Sequence, residues 1–197
     1  MLSSRSLKIA VLGLTATGAV AVGGCNRESG EQAQPQASAS AAGPQSQAGV
    51  LDRSRKGSAL PDFTLTDQAG KSATLASFKG KPLLINLWAT WCAPCVVELP
   101  ALDKLAADRA GNLKVLTVSQ DMSGTEKVAA FLAEKGGRHL EPWLDPQNDL
   151  AFHYQVGTLP TTIYYDAQGR EVWRYVGGHD WTGAEAAAML DEASAPR

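Results

Sequence analysis

Five residues, Trp91-Cys92-Ala93-Pro94-Cys95, follow almost directly on a continuous apolar run, Leu83-Leu84-Ile85-Asn86-Leu87-Trp88. A run of that kind reads as a strand buried on both faces. Beyond the cysteines, Leu99, Leu102 and Leu105 recur every third residue, which predicts a helix ending near Gly111. The cysteine pair therefore falls on a strand-to-helix junction. Unpaired N–H groups and the positive end of the dipole gather at a helix N-terminus. A Cys92 thiolate placed there is stabilised and its pKa lowered. Cys95 lies one turn further along the same face, where it can close a disulfide with Cys92. Pro94 suits the first turn, where its missing N–H costs little. The chemistry predicted is thiol–disulfide exchange, in which Cys92 attacks and Cys95 resolves the mixed disulfide.

Competing readings of the cysteines are weaker. The chain has 197 residues and three cysteines, at 25, 92 and 95. At most one local bridge can form, so a disulfide-stapled scaffold is excluded. A structural zinc site needs four ligands and the pair offers two. His139, His153 and His179 are scattered without ligand spacing, so no metal site and no cofactor are expected. A purely structural bridge across so short a loop would restrain little of the unfolded chain. The formal net charge is only −2, which argues against a nucleic-acid partner bound through a basic field.

The N-terminal part reads as an address and a tether. Arg5 and Lys8 precede an apolar stretch over residues 9–22. That is shorter than the roughly 20 residues of a membrane span and fits a secretory signal peptide. Val22-Gly23-Gly24-Cys25 resembles the bacterial lipobox, which implies lipidation of Cys25 and anchoring on the periplasmic side of a bacterial membrane, outer or inner. An uncleaved anchor and an ordinary signal with a chance cysteine are the alternatives. Residues 26–49 contain no Val, Ile, Leu, Met or aromatic residue. Such a segment buries too little apolar surface to offset its conformational entropy and reads as a flexible tether. The expected organisation is a signal over 1–24, the lipidated cysteine and tether over 25–58, and one domain over 59–197.

Within that domain, Phe63-Thr64-Leu65 and the turn Asp67-Gln68-Ala69-Gly70 open a hairpin. Val115-Leu116-Thr117-Val118 reads as a second buried strand. Ser123 and Glu126 form a capping-box pair before a helix with Val128, Phe131 and Leu132 on one face. Asp145-Pro146 begins a short helix through Phe152. Thr161–Tyr165 and Glu171–Val176 read as strands joined by Asp166-Ala167-Gln168-Gly169. Thr182 and Glu185 repeat the capping-box pattern before a last helix through Leu190. This order predicts an α/β fold with a mixed sheet.

The stretch Asn86-Leu87-Trp88-Ala89-Thr90-Trp91-Cys92-Ala93-Pro94-Cys95-Val96-Val97-Glu98-Leu99-Pro100 resembles the membrane-tethered TlpA/ResA-type thioredoxins of bacteria. The resemblance continues in Gly157-Thr158-Leu159-Pro160-Thr161-Thr162. It implies a thioredoxin fold, a central mixed β-sheet of about four or five strands flanked by helices, with an N-terminal β-hairpin extension. It implies an extracytoplasmic thiol-disulfide oxidoreductase, usually a reductase, in cytochrome c maturation, copper-site assembly or related thiol upkeep. The implied partners are a disulfide-containing client protein, a membrane thiol-electron donor and the membrane itself through the lipid anchor; with no cysteine left for a covalent dimer, the chain is expected to be a monomer.

Roles for single residues follow in part from this resemblance and in part from the residues themselves. Pro160 matches the family's cis-proline, in a loop opposite the cysteines whose Thr158 and Leu159 offer backbone groups to the substrate chain. Glu98 would accept or relay the proton of Cys95. Asn86 stands where cytosolic thioredoxins carry a buried acid, which shifts proton traffic to Glu98. Trp91 is expected on the active-site rim, where its ring shapes contact with partner proteins, with ordinary packing as the alternative; Trp88 is expected in the core, Trp181 docking the last helix rather than binding substrate, and Pro100 kinking the first helix. Ala93-Pro94 lacks the histidine of strongly oxidising relatives, which favours a reductant. A peroxidase of the related peroxiredoxin group would need Thr where Ala89 stands. A copper chaperone of thioredoxin fold would resemble CxxxC with a distant His, and this chain has CxxC.

Overall fold

Every residue of β4 (Leu83–Trp88) is buried, so this strand must lie inside a sheet with both faces covered. The computed structural model describes residues 49–194. The signal segment, Cys25 and the tether up to residue 48 lie outside them. β4 runs parallel to β5 (Lys114–Ser119) and antiparallel to β7 (Thr161–Tyr165). The crossover from β4 to β5 is α1 (Ala93–Asp108), so the cysteines sit where β4 delivers the chain to α1. β6 (Pro142–Leu144) continues the parallel side, and the hairpin β2 (Thr64–Asp67) and β3 (Ser72–Thr74) extends it through β2. On the other side follow β8 (Glu171–Val176) and β1 (Val50–Asp52). The order β1-β8-β7-β4-β5-β6-β2-β3 makes one eight-stranded mixed sheet.

Period-two alternation divides the core between the two faces. Leu84 and Trp88 of β4 join Cys92, Cys95, Leu99 and Leu102 of the α1 side, together with Trp173, Trp181 and Met189. Leu83, Ile85 and Leu87 point the other way, among Leu65, Leu116, Val118, Trp143 and Leu150. Asn86 shares the α1 face, which puts a fully buried amide under the first turns of that helix.

The structure corrects the sequence reading in several places. The sheet has eight strands, not four or five, because β1, the short β6 and the hairpin all join it. Val50–Asp52, placed in the tether, pairs with β8 from Val50↔Val176 to Asp52↔Arg174, so the fold begins before Ala59. Neither capping box forms. The chain enters α2 (Val128–Glu134) through Gly124 at φ 70° and a 3₁₀ turn over Thr125–Lys127. Ser123 is therefore too far from the helix to cap it. Thr182 turns its Oγ1 to Asp180 Oδ1 at 2.7 Å, and Gly183 occupies the N-cap of α4 (Ala184–Asp191). α3 (Asp149–Tyr154) starts later than Asp145-Pro146. The Asp145 carboxylate instead accepts the Asp149 and Leu150 N–H groups at 3.0 Å, capping the helix from outside. α1 contains Pro100 and ends at Asp108 with Arg109 as its C-cap, near Gly111 as read.

One ion pair ties the sheet to α3. Arg174 donates from Nε to Glu171 Oε1 at 2.6 Å and from Nη2 to Oε2 at 2.9 Å. Its Nη1 reaches the Tyr154 carbonyl at the end of α3 at 2.7 Å. Glu171 is only 2% exposed.

Candidate active site

The strand-to-helix turn is held by polar groups from the neighbouring strand. Thr90 donates its N–H to Asp121 Oδ2 at 3.0 Å and its hydroxyl to Oδ1 at 2.6 Å. Ser119 Oγ donates to the same carboxylate at 2.7 Å. Cys92 then closes a turn on the Ala89 carbonyl at 3.1 Å and becomes the N-cap of α1, with Pro94 inside the first turn. Cys92 and Cys95 form a disulfide with Cα atoms 5.3 Å apart, so the described state is the oxidised one. Cys95 is fully buried, whereas Cys92 is 6% exposed and lines a groove of about 930 Å³.

Exposed apolar side chains border that groove. Trp91, Met122 and Phe152 are 71%, 76% and 75% exposed. Thr158 and Leu159 form part of its wall, and the Leu159–Pro160 peptide is cis. The loop expected opposite the cysteines and the rim residue Trp91 thus stand on one cavity. The Thr158 carbonyl is already engaged by Thr161 Oγ1 at 2.7 Å.

Glu98 lies one turn beyond Cys95 on the same face of α1 and is 4% exposed. Its Oε1 accepts Asn86 Nδ2 at 2.8 Å. Its Oε2 accepts Trp181 Nε1 at 3.0 Å and the His179 N–H at 3.1 Å. Burial raises its pKa from 4.5 to about 7, against the opposing pull of these three donors. Asn86 Nδ2 also donates to Thr162 Oγ1 at 3.0 Å, so one neutral amide links the acid to β7. Trp181 is 2% exposed and shares the cluster of Met189 and Leu190, docking α4 as expected, while its indole nitrogen also contacts the acid.

A raised carboxylate makes stability pH-dependent. Between about pH 4.5 and 7 the folded protein keeps a proton on Glu98 that the unfolded chain has shed. The stability carried by that proton is complete below pH 4.5 and is lost as pH rises through about 7. The expected loss is about 3 kcal/mol. From acid to neutral pH the urea midpoint of the oxidised wild type should fall relative to that of Glu98→Gln, which lacks this part of the slope. Equal slopes in both would contradict it.

Four residues of the site escaped the sequence reading. Asp121 and Met122 follow β5, where polar or exposed residues after a buried strand mark the ligand-facing end of a sheet. Phe152 was read only as the end of a helix, and His179 only as lacking ligand spacing. Among the described residues, no three His, Cys, Asp or Glu side chains gather as a metal-ligand set.

The Redoxin family model matches residues 55–190. The chain is a member of the Redoxin family. The chain is 34% identical over 116 residues to the thiol-disulfide oxidoreductase ResA of Geobacillus kaustophilus, a match covering 57% of this chain and 64% of that one. It is 35% identical over 144 residues to the thiol:disulfide interchange protein DsbE of Pseudomonas fluorescens, covering 70% and 79%. Among solved structures it is similar to a protein from Chlorobium tepidum assigned as DsbE, with a TM-score of 0.63 and 25% identity over 71% of this chain and 98% of that one. The fold is thioredoxin-like, and the Redoxin chain is a ResA/TlpA-like thiol-disulfide oxidoreductase.

Proposed function

We propose that the protein is an extracytoplasmic, lipid-anchored reductase of disulfides in client proteins, with Cys92 as nucleophile and Cys95 as resolving thiol. The observation that carries this reading is the asymmetry of the pair: Cys92 caps α1 and faces the groove, while Cys95 is fully buried behind it. In the reduced enzyme the Cys92 thiolate attacks a client disulfide. One client sulfur bonds to Cys92, and the other leaves as a thiolate that takes up a proton. Cys95 then gives its proton to the Glu98 carboxylate and attacks the Cys92 sulfur. The Cys92–Cys95 bond forms, the Cys92–client bond breaks, and the second client sulfur leaves and is protonated. Two electrons have passed from the enzyme dithiol to the client disulfide. A membrane dithiol donor returns them.

Location rests on the sequence. The basic start, the short apolar stretch and Val22-Gly23-Gly24-Cys25 support export and lipidation at Cys25. Among the described residues no helix is long and apolar enough to cross a membrane. An exported apocytochrome or copper-site protein with a disulfide to be opened is the client class favoured by the family.

The test is capture. Cys95→Ser, expressed in cells in its full-length form, should accumulate client proteins disulfide-bonded to Cys92 and released by reductant. Absence of any adduct during both reducing and oxidising growth would overturn the reading.

A further inference from the structure

The segment 177–181, between β8 and α4, touches three parts of the site. The Gly177 N–H donates to the Pro160 carbonyl at 2.9 Å, from a φ of 108° that favours glycine. Gly178 packs over the motif itself: a β-carbon there would stand 3.7 Å from Pro94 Cβ. The His179 N–H and the Trp181 indole N–H both end on Glu98 Oε2. One short connection therefore holds the cis-proline loop, the turn between the cysteines and the acid.

Trp181 does more in this arrangement than fill space. Its ring stacks on Trp173 with centroids 6.3 Å apart and meets Tyr175 at 6.1 Å and His179 at 4.8 Å. Any apolar ring could dock α4 in that cluster. The indole adds one buried donor aimed at a carboxylate, and a hydrogen bond to an ionised acceptor is stronger than one to a neutral group.

We propose that Trp181 is a positioning residue of thiol–disulfide exchange: its indole N–H fixes the orientation and ionisation of the Glu98 carboxylate that receives the proton of Cys95. The proposal rests on the reading of Glu98 given above. In the resolving step the Cys95 S–H proton passes to Glu98, the Cys95 sulfur bonds to Cys92, and the client sulfur departs with the electron pair of the broken bond. Without the indole, burial acts on Glu98 with less opposition and the acid stays protonated to higher pH. The other groups around Glu98 are the neutral Asn86 of β4, Tyr175 of β8, His179 of the loop and, after reduction, the Cys95 thiol. Burial lowers the His179 pKa against the pull of Glu185 and Asp180, which favours the neutral ring beside Glu98.

Stopped-flow reaction of the reduced full-length protein with an aromatic disulfide releases one coloured thiolate on attack and a second on resolution. Followed from about pH 5 to about pH 9, the wild-type resolution rate should rise through the ionisation of Glu98. Trp181→Phe should shift that inflection upward by about one pH unit and slow resolution at neutral pH by up to about tenfold, with attack unchanged. Glu98→Gln should abolish the inflection, and adding Trp181→Phe to it should change nothing further. An unshifted profile in Trp181→Phe, with the inflection lost in Glu98→Gln, would overturn the role of Trp181 alone. An inflection that survives Glu98→Gln would overturn the reading of Glu98 itself. A second measurement leaves Trp181 in place. Its indole ¹H–¹⁵N resonance in the oxidised protein should titrate with Glu98 while those of Trp88, Trp143 and Trp173 do not. A flat Trp181 resonance overturns the proposal whatever the folding of the variant.

Discussion

Cys92→Ser is expected to bring disulfide reduction down to the uncatalysed background, a loss on the order of 10³-fold or more. The reason is positional as well as chemical. A serine hydroxyl at the N-cap of α1 would receive the same N–H groups and dipole that favour the Cys92 thiolate. Its pKa is too high for these to generate an alkoxide, so the site keeps its shape and loses its nucleophile. Cys95→Ser should differ in kind: attack by Cys92 proceeds, one equivalent of client thiol is released, and turnover stops at the mixed disulfide. Insulin reduction with a regenerating dithiol measures the first effect, and a single burst of thiol release measures the second. Multiple turnovers by Cys92→Ser would mean that Cys95, buried behind the groove, can be reached directly.

Arg174→Met should be the most damaging substitution away from the cysteines. It leaves Glu171, 2% exposed, without the two guanidinium bonds at 2.6 and 2.9 Å, and leaves the Tyr154 carbonyl without its donor. Burial works against the guanidinium charge, but its bonds to Glu171 outweigh this and hold the Arg174 pKa above its ordinary value. Removing one partner of such a pair costs about 3–5 kcal/mol, because the remaining charge stays buried and unpaired. Adding Glu171→Gln to Arg174→Met should restore much of the loss, since the stranded charge is then gone. Urea denaturation at neutral pH tests both. A loss below about 1 kcal/mol in Arg174→Met would show that Glu171 is stabilised by other groups. The damage should extend to the groove, because the bond to Tyr154 anchors the helix that carries Phe152.

The parts of this protein that were legible in its sequence are those fixed by local rules. The apolar run of β4, the proline in the first turn of α1 and the turn at Asp166 to Gly169 each depend on nearby residues, and each forms as read. β1 and β6 have three residues each, too few to show a period, and exist through pairing with β8 and β5. The capping boxes failed for the opposite reason. The pattern was local, but Gly124 and Gly183 moved the helix starts away from it. At the site, the resemblance pointed to Glu98 and linked Asn86 to it in role, whereas the hydrogen bonds that reach the carboxylate could not be read. Asn86, His179 and Trp181 are brought to it from β4 and from beyond β8, up to 83 positions away. Asp121 was hidden in the same way, since its role appears only when β5 lies beside β4.

The chain order of these parts has a consequence for biogenesis. Cys92 and Cys95 leave the ribosome long before residues 157–160 and 177–181, which complete the groove and surround the acid. Until β7 and β8 have joined β4, the cysteine pair at the start of α1 has neither the wall formed by residues 157–159 nor a desolvated carboxylate behind it. The complete site is thus assembled only when the segment from residue 157 onward has docked. The client-facing groove and the buried acid are completed together, by the same late-docking strands and loop.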